Sequence, residues 1–110
     1  MSAKFTILRS AAGLYRFNLT APNGQIILSS EQYAAKSGAL NGVQAARVHA
    51  SDDTNYDRRT ASNGEPYFVL KARNGEVVGR SETYSSKYGM ESGINAVKQH
   101  APTAPLYDLA

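Results

Sequence analysis

Residues Phe17–Gly24 read FNLTAPNG, and residues Phe68–Gly75 read FVLKARNG. The two stretches lie 51 positions apart, and the same shift aligns residues 13–50 with residues 64–101 without a gap, with 15 of 38 positions identical. A repeat at a fixed period indicates an architecture made of equivalent units. The chain therefore reads as an internal duplication, and this decides the fold more firmly than any single motif does.

Each copy opens with a predicted β-hairpin. In the first copy Tyr15, Phe17 and Leu19 alternate with polar residues, which is the period of a half-buried strand. An Asn-Gly pair follows at positions 23–24 and returns at positions 74–75. Asn-Gly accepts the positive φ angles of a tight turn with little strain, so we predict one hairpin per copy.

After each hairpin the apolar residues follow a helical period. Ser30 and Ser81 stand where helix N-caps belong, and each precedes a glutamate that favours the positive end of a helix. We predict a short helix with an inward-pointing tyrosine, ended or bent by a glycine, and then a longer helix over about residues 40–49 and 91–100. The residues of the short helix are Glu31, Tyr33 and Gly38, and in the second copy Glu82, Tyr84 and Gly89. The buried stripe of the longer helix is Val43, Ala46 and Ala50, matched by Ile94, Val97 and Ala101.

Length favours one domain over two. A half of about 50 residues buries too little surface to be comfortably stable alone, whereas two halves sharing a core reach an ordinary domain size. We expect a single domain spanning residues 1–110, with repeat one at about 4–55 and repeat two at about 56–110. The pair Tyr-Asp occurs at 56–57 and again at 107–108, so each repeat is expected to end in a short extended segment. The first such segment also stands where repeat two needs its opening strand.

Composition places the protein in a broad class. The chain has no cysteine, which excludes a disulfide framework and a thiolate metal site. No signal peptide is recognised, and no apolar run approaches the ~18 residues that a membrane span needs. We therefore expect a cytoplasmic protein with no membrane contact. The net charge is +3, with +4 in residues 1–51 and −1 in residues 52–110, so the first half can attract anions.

The repeated motifs resemble those of a known family. Tyr15-Arg16-Phe17 with Asn23-Gly24, then Ser30-Glu31 with Tyr33 and Asn41-Gly42-Val43, look like the YegP-like family, also called UPF0339 or DUF1508. The resemblance covers nearly the whole chain in both copies. It implies an α+β fold in which two tandem β3-α-β repeats form one shared antiparallel sheet, with the helices on one face and the C-terminal strands exchanged. It implies no activity, because the family is uncharacterised. From the internal pairing of the two repeats we expect a monomer with an internal pseudo-two-fold axis.

The chain departs from the family pattern at two places. Pro66 occupies the position that matches Tyr15, and Gly79 replaces the apolar Leu28. Both positions belong to the sheet of the second repeat.

The two histidines favour a structural role. His49 and His100 stand at equivalent places late in the longer helix, where a histidine can cap carbonyls and suits the negative helix end. A metal shared across the symmetry axis would need more ligands than these two imidazoles supply, so we predict no metal. Glu31 and Glu82 form an imaginable carboxylate pair, and their expected position in a first helical turn already accounts for them. The retained pairs Lys36 with Lys87 and Tyr33 with Tyr84 are consistent with packing and solvation.

No catalytic motif is present. The chain has no Gly-x-Ser-x-Gly elbow, no P-loop and no dinucleotide-binding glycine motif. We therefore predict no catalytic residue, no cofactor and no enzymatic activity. A hydrolase with a cryptic site stays a third hypothesis, in which turnover would depend on His49 or His100.

The face of the sheet that points away from the helices is the candidate site. Since Phe17 and Leu19 are expected to face the helices, Arg16, Asn18 and Thr20 face the other side. In the second copy Tyr67, Val69, Lys71 and Arg73 are expected there, and Leu8 and Ile26 can join them. The candidate binding residues are Arg16, Asn18, Tyr67, Lys71 and Arg73. Such a face can stack bases and neutralise phosphates, it can contact a partner protein, or it can be an ordinary solvated face.

Two functions follow from this face. The first is a small non-enzymatic interaction or accessory module with an unknown protein partner. The alternative is binding of single-stranded RNA or DNA through the basic and aromatic side chains of the face, which salt would weaken steeply.

Overall fold

The computed structural model describes residues 2–110 and contains seven strands and two α-helices. In chain order these are β1 (Lys4–Arg9), β2 (Tyr15–Thr20), β3 (Ile26–Ser29), α1 (Lys36–His49), β4 (Tyr56–Thr60), β5 (Pro66–Lys71), β6 (Val77–Arg80), α2 (Lys87–His100) and β7 (Leu106–Asp108). A single 3₁₀ turn at Asp53–Asn55 leads into β4. Neither helix of the described part of the chain has the length and apolar composition that crossing a bilayer requires.

All seven strands belong to one sheet. Their order is β4-β5-β6-β3-β2-β1-β7, so the two three-stranded units meet where β6 lies beside β3. The predicted α+β fold with one shared sheet and exchanged strands is confirmed. Every pair is antiparallel except β1 with β7, which is parallel.

The core lies between the sheet and the helices. Phe5, Phe17 and Leu28 of repeat one and Phe68 and Leu70 of repeat two are fully buried in one hydrophobic cluster. The helix stripes predicted from the sequence are buried in the same cluster, and α1 also contacts β6 while α2 contacts β3. Each helix therefore covers part of the other repeat's sheet.

The strand that follows each helix pairs with the other repeat. β7 follows the second helix, crosses to repeat one and pairs with β1. The equivalent segment after α1 becomes β4, which pairs with β5 as the opening strand of repeat two. One strand thus serves as the end of the first repeat and the start of the second, which is why the sheet has seven strands and not eight.

The pseudo-two-fold axis passes between β3 and β6. Their register pairs Ser29 with Arg80, two residues that the 51-residue shift makes equivalent. Next to them stand Leu28 and Gly79, also equivalent. A Cβ atom on Gly79 would lie 2.9 Å from Leu28 Cγ and 2.9 Å from the Ser29 carbonyl oxygen. The glycine that breaks the repeat pattern is therefore needed to make room for Leu28.

The short helices predicted after the hairpins are wrong. Residues 30–35 are not helical, and α1 begins at Lys36. Ser30 Oγ is no helix cap, because it accepts a hydrogen bond from the Phe17 N–H at 2.9 Å and donates to the Glu31 carbonyl at 2.7 Å. Tyr33 then forms a backbone bridge with Tyr15. These bonds to the neighbouring strand hold the segment extended.

Repeat two has the same arrangement with two changes, a side-chain helix cap that α1 lacks and a weaker bridge. Ser81 Oγ accepts from the Phe68 N–H at 3.0 Å, and the N-cap of α2 is Ser86, whose Oγ accepts from the Gly89 N–H at 3.0 Å. The Tyr84 N–H donates to the Pro66 carbonyl at 2.8 Å. Proline has no N–H to return the bond, so the two-bond bridge of repeat one is reduced to one bond here.

The predicted hairpins are confirmed, but the conformation of their turns differs from the predicted one. Gly24 and Gly75 have φ near +89°, and no other residue type has a positive φ in residues 2–110. Asn23 instead contributes its side chain, whose Oδ1 accepts a hydrogen bond from the Gln25 N–H at 3.0 Å. The register shifts between Leu19 and Thr20 beside the turn, as a bulge does.

Candidate functional site: the open face of the sheet

The face of the sheet away from the helices, called the open face here, is defined by the strand register. One row of paired residues crosses all seven strands on this side, because partners in register lie on the same face. The row runs Asp57, Val69, Arg80, Ser29, Asn18, Thr6 and Tyr107.

The open face is basic. Alternation along the strands adds the residues two positions from this row, and the basic side chains of the face are then Lys4, Arg16, Arg59, Lys71 and Arg80. Asp57 is the one acidic strand residue among them. Five cations against one anion give the face a charge of about +4, more than the +3 of the whole chain.

The charged side chains of the face differ in whether they form ion pairs. In repeat two Asp57 accepts a hydrogen bond from Arg59 Nε at 2.8 Å and lies 3.5 Å from Lys71 Nζ. The Arg59 hydrogen bond, helped by the charges of Arg59 and Lys71, lowers the pKa of the Asp57 carboxyl. In contrast, neither Arg16 nor Arg80 forms an ion pair with any residue the structure describes, and both are exposed. Lys4 is likewise exposed and forms no ion pair among the described residues, so the free cations of the face are Arg16, Arg80 and Lys4.

The centre of the face is covered by its own side chains. Asn18 and Val69 are equivalent residues, and both are buried although no helix lies over them. Asn18 Oδ1 accepts a hydrogen bond from Ser29 Oγ at 2.9 Å, which satisfies it in the sheet. Val69 stands outside the hydrophobic core cluster, between Asp57 and Arg80 in the register. Exposed cations thus surround a tightly filled centre. A shallow depression of about 350 Å³ lies at the repeat-two end of the face, where Tyr67, Arg80 and Glu82 are among its lining residues.

Four of the five predicted candidate residues lie on this face. Arg16, Asn18, Tyr67 and Lys71 occupy outward positions of β2 and β5. Arg73 does not, because β5 ends at Lys71 and Arg73 lies in the hairpin turn. Its charge instead contributes to the lowered pKa of Asp52, after the larger effect of the hydrogen bonds from Thr54.

Sequence reasoning missed several residues of the face. Lys4, Arg59, Arg80 and Tyr107 lie on short strands whose own alternation is weak. Their position follows from the pairing of each strand with its neighbour, which the sequence of one strand does not contain. The 51-residue shift offered a signal for two of them. Arg59 is equivalent to Leu8, which was expected on the face, and Arg80 is equivalent to Ser29.

The structure locates the histidines and glutamates to which the sequence assigned structural roles. His49 and His100 are the last residues of α1 and α2, as predicted. Among residues 2–110, no three His, Asp or Glu side chains are grouped as a metal site. Glu31 and Glu82 lie in the extended segments before the helices, so their prediction as first-turn residues is wrong. Burial, and then the nearby Glu31, raises the pKa of Tyr33.

Two equivalent clefts lie between the helix of one repeat and the hairpin of the other. The larger, about 360 Å³, is lined by Tyr33, Gly42 and Ala45 of repeat one and by Asn74 and Glu76 of repeat two. The smaller, about 240 Å³, is lined by their equivalents, with glutamine in place of Glu76. Neither lining contains a histidine or a pair of carboxylates. The ionisable side chains are Tyr33 and Glu76 in the larger cleft and Tyr84 in the smaller one.

Comparison with known proteins gives the family. The model described as "Domain of unknown function (DUF1508)" matches residues 10–57 and again residues 61–108. The chain belongs to the DUF1508 family. The resemblance noted in the sequence is thereby confirmed, and the two matches correspond to the two repeats.

Relatives in the DUF1508 family are similar along their whole length. A UPF0339 protein of Pseudomonas aeruginosa is 44% identical over 108 residues, which is 98% of each chain. The UPF0339 protein YegP of Yersinia pestis is 41% identical over 105 residues, covering 96% of this chain and 94% of that one. Both are named only as members of this uncharacterised family.

Solved structures of the family share the fold. The solution structure of a UPF0339 protein from Shewanella oneidensis has a TM-score of 0.92 at 37% identity, covering 99% of this chain and 92% of that one. The solution structure of YegP from E. coli, titled a protein of unknown function, has a TM-score of 0.93 at 36% identity, covering 99% and 94%. The DUF1508 relatives thus agree on the architecture and name no activity.

Proposed function

We propose that this DUF1508 protein is a small binding module without catalytic activity, and that its open face contacts a negatively charged partner protein. The observation that carries the proposal is the charge of the face. Arg16 and Arg80 are exposed and have no ion-pair partner in residues 2–110, whereas the acidic side chain of the face is already bonded to Arg59. Unpaired cations on a broad, flat surface attract an acidic surface and speed its encounter.

The shape of the face supports a macromolecular partner. Seven strands present one continuous surface, and its centre is filled by Asn18 and Val69. Small-molecule sites are concave, whereas protein contacts use broad surfaces with arginine and tyrosine enriched at the core. Tyr67 stands beside Arg59 in the register of the same face.

Single-stranded nucleic acid is the second candidate. Tyr107 is 52% exposed on the edge of the open face, and Lys4 Nζ lies 5.8 Å from the centre of its ring. An exposed aromatic ring beside cations can stack a base while the cations contact phosphates. This candidate predicts a steep loss of affinity with salt.

Capture from native lysate, with and without nuclease treatment, tests the proposal. The wild-type protein is compared with the double variant Arg16→Glu, Arg80→Glu, and with Arg73→Glu as a matched control of similar exposure outside the face. We expect acidic proteins to be captured in both arms, with capture lost in the double variant and retained in the control. Cross-linking of the captured partner to Lys4 or Lys71 would locate the contact on the face.

Three outcomes would contradict the protein-partner proposal. Loss of all capture after nuclease treatment would favour nucleic acid. Equal capture by the double variant and the wild type would exclude the open face. Turnover on a substrate panel that disappears in His49→Ala or His100→Ala would show an enzyme.

We also propose that the two repeats form one domain, and that this domain works as a monomer in the cytoplasm. Support comes from the shared core, since each helix already packs on the sheet of the other repeat. Absence of cysteine suits a reducing compartment. Light scattering coupled to gel filtration should give a mass near 11.8 kDa, and a dimer mass would refute the monomer.

A further inference from the structure

The opening strands of the two repeats, β1 and β4, are equivalent in sequence but differ in whether another strand lies beside them. The 51-residue shift places β1 on β4, so that Phe5 corresponds to Tyr56 and Ile7 to Arg58. The outer edge of β1 is covered by β7, whereas no strand of residues 2–110 lies beside the outer edge of β4. Because β1 and β4 are equivalent, the segment that covers β1 indicates what kind of segment the free edge of β4 can bind.

The covered edge holds β7 by backbone hydrogen bonds and one ion pair. The Phe5 N–H donates to the Pro105 carbonyl at 2.8 Å, and the Leu109 N–H donates to the Ile7 carbonyl at 2.9 Å. Asp108 lies opposite Ile7, and its Oδ2 accepts from Lys36 Nζ at 2.9 Å. A parallel strand with a carboxylate at this one position is therefore held both by the sheet and by the first residue of α1.

The free edge has the same backbone group available. Arg58 is the equivalent of Ile7, so by the shared register its carbonyl points outward, as the Ile7 carbonyl points at Leu109. Within residues 2–110, the backbone of Arg58 forms no hydrogen bond beyond its pairing with β5. The Tyr56 N–H differs, since it already donates to Asp53 of the preceding turn. The available length of edge therefore begins after Tyr56 and includes Arg58 to Thr60.

The free edge also has the equivalent cation. Lys87 is the first residue of α2, as Lys36 is of α1, and it is exposed with no ion pair among the described residues. Arg58 adds a second cation where repeat one has the fully buried Ile7. Its guanidinium donates to Glu91 and Asp53, and it stays 34% exposed because no strand covers it.

We propose that the outer edge of β4 binds an extended segment of a partner protein, which runs parallel to β4 and carries a carboxylate opposite Arg58 and within reach of Lys87. Addition of a strand to a free sheet edge is a recurring mode of peptide recognition, in which backbone bonds give affinity and side chains give specificity. β7 on β1 shows, within this molecule, the kind of segment that such an edge accepts. The site uses the outer backbone edge of β4, whose Asp57 and Arg59 side chains also belong to the open face, and it does not depend on the function proposed for that face.

A peptide copied from the chain's own C-terminal segment is the probe. The nonapeptide PTAPLYDLA, residues 102–110, is titrated into the full-length ¹⁵N-labelled protein. We expect saturable shifts of the amides of Tyr56–Thr60 and of Lys87. A peptide with asparagine in place of the aspartate should bind about fivefold more weakly, since one exposed ion pair contributes up to about 1 kcal/mol.

Two further arms separate edge pairing from simple charge attraction. N-methylation of the peptide nitrogen that corresponds to Leu109 removes one backbone donor without altering the protein, and it should weaken binding about fivefold. Lys87→Glu should weaken binding by a similar factor, whereas Arg80→Glu on the open face should leave it unchanged. Both protein variants change exposed side chains, and a glutamate near a helix start is compatible with folding.

The proposal is overturned by any of three results. The first is shifts confined to Phe5–Ile7 and β7, which would mean that the peptide only displaces the chain's own strand. The second is no saturable shift at Tyr56–Thr60 at millimolar peptide. The third is binding that is insensitive to both the N-methyl group and Lys87→Glu.

Discussion

At the residue scale, glycine and tyrosine fit together in the same way in both repeats. A Cβ atom on Gly42 of α1 would lie 2.8 Å from Tyr33 Oη and 2.7 Å from Phe17 Cε2. A Cβ atom on Gly93 of α2 would collide with Tyr84 Oη and lie 2.7 Å from its Cζ. Glycine at these positions lets a tyrosine from the preceding segment lie against the helix. The retention of both residues in the two copies is explained by this contact.

Alanine substitutions in α2 should distinguish the steric effect of a Cβ atom beside Tyr84 from the effect of helix propensity. Gly93→Ala forces Tyr84 to move and should lower the free energy of unfolding by about 1–3 kcal/mol. Gly89→Ala on the same helix is the matched control, because its Cβ would meet nothing closer than 3.4 Å. The control should raise stability by about 0.5–1 kcal/mol through helix propensity. Urea denaturation measures both, and equal effects of the two variants would contradict the packing account.

At the element scale, the parts of the fold that depend on local chemistry were predictable. The Asn-Gly turns, the helix ends at His49 and His100 and the buried stripes of α1 and α2 follow from neighbouring residues. The helix starts were not predictable, because Ser30 bonds to Phe17, which is 13 positions away, and this contact keeps the segment extended. The open face was predicted only in part for the same reason. Arg16 and Lys71 follow from strand alternation, whereas Arg80 and Tyr107 depend on strand pairing.

The attachment of β7 should depend on pH. The hydrogen bond from Lys36, more than that from the Ala110 N–H, lowers the pKa of the Asp108 carboxyl. A carboxylate with a lowered pKa stabilises the folded state above its ordinary range, near pH 4, and loses that contribution as the pH falls through its folded value. We expect the amide protection factor of Leu109, whose N–H donates to the Ile7 carbonyl at 2.9 Å, to fall between about pH 4 and pH 2. Hydrogen exchange followed by NMR measures this.

Two variants serve as controls for the pH effect. Lys36→Met and Asp108→Asn both remove the ion pair, so β7 should be less protected at neutral pH and should lose the additional drop in acid. A wild-type drop that persists in Asp108→Asn would assign the effect to another group.

At the scale of the whole molecule, the two repeats complete one core. β7 of repeat two covers β1, Arg47 of α1 donates to the Ala104 carbonyl at 2.7 Å, and α2 contacts β3. Each half contributes surfaces that the other half buries. Neither half retains a full set of packing partners when it is alone.

Division of the chain near Thr54 tests this dependence. Fragments 1–54 and 55–110 should each fail to fold as a monomer, because each leaves the apolar side of its strands exposed to water. An equimolar mixture should regain the circular dichroism of the intact chain. Gel filtration and thermal unfolding of the separate fragments are the measurements, and a cooperative transition from either monomeric fragment would refute the single core.

The contact of Leu28 with Gly79 has a consequence for the history of the molecule. Two copies of the first repeat placed around the same axis would bring leucine against leucine where there is space for one, and two copies of the second would leave an empty space between glycines. The two repeats are therefore complementary in shape at this contact, and neither can replace the other there. A chain that arose by internal duplication now carries, in one leucine and one glycine, the reason it cannot return to an assembly of identical parts.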